Sequence, residues 1–180
     1  MPCLVSREIG GMKTLLLAAS TLVLTSSFLH ADDPIPNRLI DYPGFQKIVD
    51  TSRQEREKQR LTEDEFLAAM KASDVVVLDA RSASMYRLRH IKGAVNLPFT
   101  DFTAASLSSV LPTPETKVLI YCNNNFLNDP MAFASKMPPA SLNLSTYTSL
   151  KAYGYDHIYE LGPLLDVTKT KIPFEGLEVR

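Results

Sequence analysis

Cys122 closes a short run, Lys117-Val118-Leu119-Ile120-Tyr121, and opens a polar one, Asn123-Asn124-Asn125-Phe126-Leu127-Asn128-Asp129-Pro130. A strand that ends in cysteine and breaks into an Asn-rich loop sets a thiol at the carboxyl edge of a sheet, where α/β folds bind ligands. As thiolate, such a residue is a nucleophile. As thiol, it is also a good small buried hydrophobe, and its position alone does not decide between the two. Asp79 and Arg81 follow the apolar run Val75-Val76-Val77-Leu78 and reach the same edge, so Arg81 is a candidate cation for an anionic ligand. His90 could pair with Cys122 in the manner of a thiol protease, but no Asn or Asp is evident to orient it. His157 begins a strand and reads as structural. The chain holds two Cys and three His. Their spacing fits no metal site, so neither a metal nor an organic cofactor is expected.

The elements that must position these residues alternate between helix and strand. Asp41-Tyr42-Pro43-Gly44 reads as a turn or helix start, and Phe45, Ile48 and Val49 make a short amphipathic stripe after it. Residues 53–60 carry mixed charge and read as a solvated helix face. Thr62-Glu63-Asp64-Glu65 is a capping box, with Phe66, Leu67 and Met70 on the apolar side of the helix it opens. Val75–Leu78 reads as a buried parallel strand. Ser82–Leu88 reads as helix, Ala94–Leu97 as strand and Thr100–Val110 as helix, stopped by Pro112 and Pro114. Val118–Tyr121 is the next strand. Thr146–Tyr153 reads as a helix stopped by Gly154, and 157–161 as a last strand. This alternation predicts an α/β fold with one parallel sheet covered on both faces.

The 180 residues suit one globular domain. Charge is nearly balanced at −1, and basic residues are interleaved with acidic ones, so no nucleic-acid partner is expected. The first 31 residues read as a secretory signal. Lys13 precedes the apolar stretch Leu15–Leu24, and Ala31 precedes Asp32-Asp33-Pro34. Met12 is a second possible start, which would make residues 1–11 an upstream extension. The apolar centre is about ten residues, short of the roughly 20 that span a bilayer, so cleavage without stable membrane insertion is expected. The expected destination is periplasmic or secreted. Cleavage removes Cys3 and leaves Cys122 as the one cysteine, with no internal disulfide available to it. Residues 32–60 then form a helical lead-in segment and 61–180 the main domain.

Residues 79–98 read DARSASMYRLRHIKGAVNLP. Asp79, Arg81, Tyr86, His90, Ile91, Gly93, Ala94, Asn96 and Pro98 resemble, in order and spacing, the signature of rhodanese-like (sulfurtransferase) domains. Cys122 stands where that family places its catalytic cysteine, and 151–162 resembles the family's last helix, strand and turn. The resemblance covers about residues 60–163. It implies a five-stranded parallel sheet flanked by helices. It also implies a chemistry in which Cys122 takes a sulfane sulfur from a small donor, holds it as a persulfide and yields it to a thiol or other acceptor. On that basis Cys122 is the expected catalytic residue, with Asn123, Asn124, Asn125, Phe126, Leu127 and Asn128 of its loop as the expected substrate-binding set. Arg81 joins that set from its position at the sheet edge, while the resemblance itself more often implies a structural arginine there, paired with acids.

The sequence departs from the family at the loop. An Arg five residues after the cysteine is usual, and here that residue is Leu127. Related phosphatases place Arg at the position of Asn128, so phosphatase activity is not expected. Asn123–Asn125 could cradle a sulfur or simply satisfy a tight turn. Asp129-Pro130 reads as the start of a short helix over 130–136, with its N-terminus near Cys122. Residues 129–145 then form either a lid over the thiol or a surface elaboration. The alternative to an enzyme is a catalytically silent module of the same fold that binds a protein partner or a small thiol ligand.

Overall fold

A computed structural model describes Ile35 and residues 37–179. The predicted secretory signal lies outside the described residues. Residues 37–179 belong to one compact unit. Its first helix, α1 (Tyr42–Lys58), is capped by Asp41, whose carboxylate accepts from the Gly44 N–H at 2.9 Å, and carries Pro43 in its first turn. Next come β1 (Arg60–Leu61), α2 (Glu63–Ala69), β2 (Val75–Asp79), α3 (Ala83–Leu88), β3 (His90–Ile91) and β4 (Val95–Asn96). The chain continues through α4 (Ala104–Val110), β5 (Lys117–Tyr121), β6 (Phe126–Leu127), α5 (Leu142–Ala152), β7 (Ile158–Leu161), β8 (Leu165–Asp166) and β9 (Phe174–Glu175).

The main sheet has five strands in the order β1-β7-β5-β2-β4, and every pairing in it is parallel. This is the architecture expected from the sequence. The fifth strand is β1, which straddles the boundary expected between the lead-in and the main domain. Two predicted boundaries move. The helix expected over Thr100–Val110 breaks at Phe102 into a single 3-10 turn and α4, because Thr103 and Ser106 form a capping box that restarts it. The helix expected to begin at Thr146 begins at Leu142.

Side chains alternate across a strand, so each strand feeds two cores. Val77, Leu119, Tyr121 and Leu161 pack with Phe66, Phe126 and Phe133 on one face. Leu78, Val118, Ile120 and Ile158 pack with Leu107, Tyr147 and Leu150 on the other. The second face also receives α1, which is tied to α5 by Tyr147 Oη donating to Gln59 Oε1 at 2.9 Å and by a Lys151–Glu55 ion pair at 3.0 Å. Residues 53–60 are therefore more than a solvated face: Arg56 turns inward and reaches Glu160 on β7 at 2.6 Å.

Candidate functional site around Cys122

Strand parity decides which face each candidate serves. Asp79 lies opposite Tyr121 in the β2–β5 register, and both side chains point to the face of Val77 and Leu119. Cys122 is one residue further, in extended backbone (φ −149°, ψ −174°), and points to the other face, toward α5. Its side chain is fully buried. The sulfur shares a hydrogen bond of 3.4 Å with Ser141 Oγ. Ser141 is the N-cap residue of α5, and its hydroxyl makes no capping bond to the helix. The thiol thus stands at the N-terminal end of an eleven-residue helix, the end that favours negative charge.

Parity also places Arg81 away from the thiol. Its guanidinium is buried with Asp79, donating from Nε at 2.9 Å and from Nη2 at 2.5 Å, and it lies 4.4 Å from the centre of the Phe133 ring. Nη1 donates to the Ala132 carbonyl at 2.8 Å and Nη2 to the Arg89 carbonyl at 2.8 Å. Burial works against its charge, but the bonds to Asp79 more than reverse that and raise its pKa. Tyr121 Oη donates to Asp79 and accepts from the Ile91 N–H at 3.1 Å. The group holds β2, β5 and β3 together. His90 stacks on Tyr86 at 3.7 Å, and its Nδ1 bonds the Tyr86 carbonyl at 2.8 Å.

The three asparagines bind protein. They form one 3-10 turn, Asn123–Asn125, after Cys122. Asn125 Oδ1 accepts the Cys122 N–H at 2.9 Å, and its amide donates to the Leu161 and Pro163 carbonyls at 2.7 and 3.2 Å. Asn123 donates to the Ala134 carbonyl at 2.8 Å. Asn124 clasps Lys136 at two points, donating to its carbonyl at 2.7 Å and accepting from its N–H at 3.0 Å. The three side chains extend the turn into a set of clips onto neighbouring backbone.

The rest of the loop leaves the thiol. Phe126 and Leu127 form β6, parallel to β8, with no helix following the turn. Phe126 is buried between Phe133 and Phe174, with ring centres 4.5 and 5.2 Å away. Leu127 is exposed, and Asn128 takes a left-handed φ of 67°. The helix expected over 130–136 is a single turn. Asp129 caps it as predicted, accepting from the Ala132 N–H at 3.0 Å, but Ala132 and Phe133 are drawn into the core and no regular element follows before the 3-10 turn Pro138–Ala140. Fixed by Arg81, Asn123, Asn124 and an Arg89–Asp129 ion pair at 2.9 Å, this stretch is pinned to the core along its length.

A polar cavity of about 140 Å³ does open at the thiol. Cys122, Asn124 and Asn125 line it, with residues not expected at the site, the polar ones being Arg56, Arg60, Ser141, Asn143 and Glu160. Glu160 lies opposite Ile120 in the β5–β7 register, so it shares a face with Cys122 one strand away. Glu160 is 2% exposed, and its carboxylate is held by Arg56 at 2.6 Å and Arg60 at 3.2 Å. Burial raises its pKa, against the pull of the two guanidinium groups. Glu57 sits outside them, 3.7 Å from Arg56 and 3.4 Å from Arg60. Three buried polar atoms belonging to residues that line the cavity have no protein partner: Arg56 Nε, Asn143 Oδ1 and Glu160 Oε2. The one signal for this cluster in the sequence is Glu160 itself, an acid inside the apolar strand Ile158-Tyr159-Glu160-Leu161 that must find cations if buried.

The parallel five-stranded sheet, with a cysteine at the end of its middle strand, defines a class of α/β domain. The chain belongs to the rhodanese-like domain family, whose model matches residues 62–161. A search of curated proteins finds no match. Among solved structures, a variant of EanB in complex with hercynine aligns at 24% identity with a TM-score of 0.50, over 67% of this chain and 28% of that one. The chain thus spans little more than a quarter of EanB. The protein Alr3790 from Anabaena sp. aligns at 21% identity and TM-score 0.46, covering 66% of this chain and 94% of that one. BH2092 from Bacillus halodurans aligns at 18% identity and TM-score 0.49, over 72% and 86%. These likenesses concern the fold. Arg56 and Arg60 precede the residues that the family model matches.

Proposed function

We propose that this protein is an exported sulfurtransferase that carries sulfane sulfur as a persulfide on Cys122. The observation that carries this reading is the placement of the sulfur: at the end of the middle strand, bonded to Ser141 Oγ at the N-terminus of α5, beside a polar cavity rather than an apolar one. In the reaction, the Cys122 thiolate attacks the outer sulfur of thiosulfate or of a persulfide. A new S–S bond forms as the old one breaks, and sulfite or a thiolate departs with the bonding electron pair. A nucleophilic acceptor then attacks the outer sulfur, and Cys122 leaves as thiolate. Ser141 and the amino end of α5 stabilise the anionic sulfur in both halves.

The test is intact mass after incubation with thiosulfate or a persulfide donor. One added sulfur, removed by cyanide and absent in Cys122→Ser, is the expected result. No adduct from any donor, while a small thiol reagent still labels Cys122, would overturn the reading. A specific observation supports a second reading, a catalytically silent module that binds a partner or small thiol: the thiol is fully buried and the loop amides are all spent on protein carbonyls. Full cellular function in Cys122→Ser would decide for it.

A further inference from the structure

The cavity beside Cys122 has a pattern of unmet hydrogen bonds. Glu160 Oε2 and Asn143 Oδ1 are acceptors without donors, and Arg56 Nε is a donor without an acceptor. Glu160 and Asn143 are 2% and 6% exposed, so bulk water does not bathe them. Buried polar groups are normally satisfied, and a ligand-binding cavity is where an exception has a use. A ligand that completes this set carries N–H donors at one end and an anionic acceptor at the other. Its sulfur would meet Cys122 on the same wall. A space of about 140 Å³ suits a small molecule rather than a bulky one.

We propose that this cavity is a binding site for a small thiol-bearing amino-acid zwitterion, its ammonium on Glu160 and Asn143 and its carboxylate on Arg56. Charge fits the assignment. Within the cavity wall, Arg56 and Arg60 face Glu160, with Glu57 outside, so both signs are presented within one small volume. An all-acceptor anion such as thiosulfate would satisfy Arg56 but set its oxygens against the Glu160 carboxylate. On the sulfurtransferase reading, on which this part rests, the donor is the persulfide of such an amino acid. The Cys122 thiolate attacks its outer sulfur, the Cys122 S–S bond forms, the donor S–S bond breaks, and the donor thiolate takes the electron pair. The outer sulfur keeps its own proton, and no net oxidation occurs.

The experiment compares three donors on the full chain: cysteine persulfide, mercaptopropionate persulfide, which lacks the amine, and thiosulfate. Loading of Cys122 is followed by intact mass. The amine-free donor and thiosulfate are expected to load about tenfold or more slowly, since each leaves buried acceptors unpaired. Glu160→Gln is expected to erase most of that preference. Binding of plain cysteine and of mercaptopropionate to Cys122→Ser is measured by calorimetry, which needs no transfer. If no donor loads Cys122 but Cys122→Ser binds cysteine and rejects mercaptopropionate, the ligand site stands and sulfur transfer fails. If all donors load equally and Cys122→Ser binds neither thiol, the zwitterion site is overturned while sulfur transfer stands. A preference that persists in Glu160→Gln overturns the role given to Glu160.

Discussion

Arg81 shows how one residue of parity separates two jobs. Its place at the sheet edge made it a candidate for the substrate, whereas the family resemblance implied a structural arginine paired with acids. Its side chain is paired with Asp79, and it and that of Cys122 project to opposite faces of the sheet. A buried guanidinium with a buried carboxylate is a structural pair whose disruption strands a charge. Arg81→Ala is therefore expected to lower stability by about 3–5 kcal/mol in urea denaturation. The rate at which a small neutral disulfide reacts with Cys122 in the folded protein should stay within about twofold of the parent, since nothing that touches the sulfur is lost. A tenfold fall in that rate with stability retained would return Arg81 to the thiol. The strand pattern Val77, Asp79 against Val76, Leu78 already contained this face assignment, so it was readable without coordinates.

At the scale of elements, α1 is joined to the sheet through Arg56 and Glu160. Glu160 has a raised pKa in the fold, with burial the largest cause. A carboxyl raised above its unfolded value costs the folded state stability once pH exceeds the folded pKa, and the cost vanishes below the unfolded one. Arg56→Ala removes one of two cations that hold that cost down. The variant should lose about 1–3 kcal/mol near neutral pH, and the loss should shrink as pH falls toward about 4. Paired denaturation curves across that range check the sign, and a loss that grows on acidification would contradict it. Elements whose signals were local came through the sequence well. The Thr62–Glu65 capping box forms as read, with the Thr62 N–H on Glu65 at 2.8 Å and the Glu65 N–H on Thr62 at 3.3 Å. Asp129 caps its turn as read. The helix beyond it fails because Ala132 and Phe133 gain more from the core than from a short isolated helix, and no local signal reports that competition. Likewise the Arg56–Glu160 contact joins residues 104 apart, beyond any periodicity window.

For the whole molecule, the five-stranded sheet is completed at its edge by β1, so the residues before 62 belong to the folding unit even though the family match begins there. Deleting 1–61 removes an edge strand, α1 and both partners of Glu160. That variant is expected to lose cooperative unfolding in urea. Deleting 1–31, the residues proposed as an export signal, should leave the midpoint unchanged. Recovery of a form starting at Asp32 from an extracytoplasmic fraction would support export, and recovery of only the full chain would count against it. Among the described residues no helix is long and apolar enough to cross a membrane.

The order of the sheet also sets an order in time. Chain growth makes α1 early and β7 late, and the cavity at Cys122 needs both. A chain in which either element has not yet docked therefore holds its sulfur without the Arg56–Glu160 wall. The finished domain screens its thiol by packing α1 against β7 and leaves the polar cavity as the way in, so selectivity for what reaches the sulfur exists only once both elements have docked.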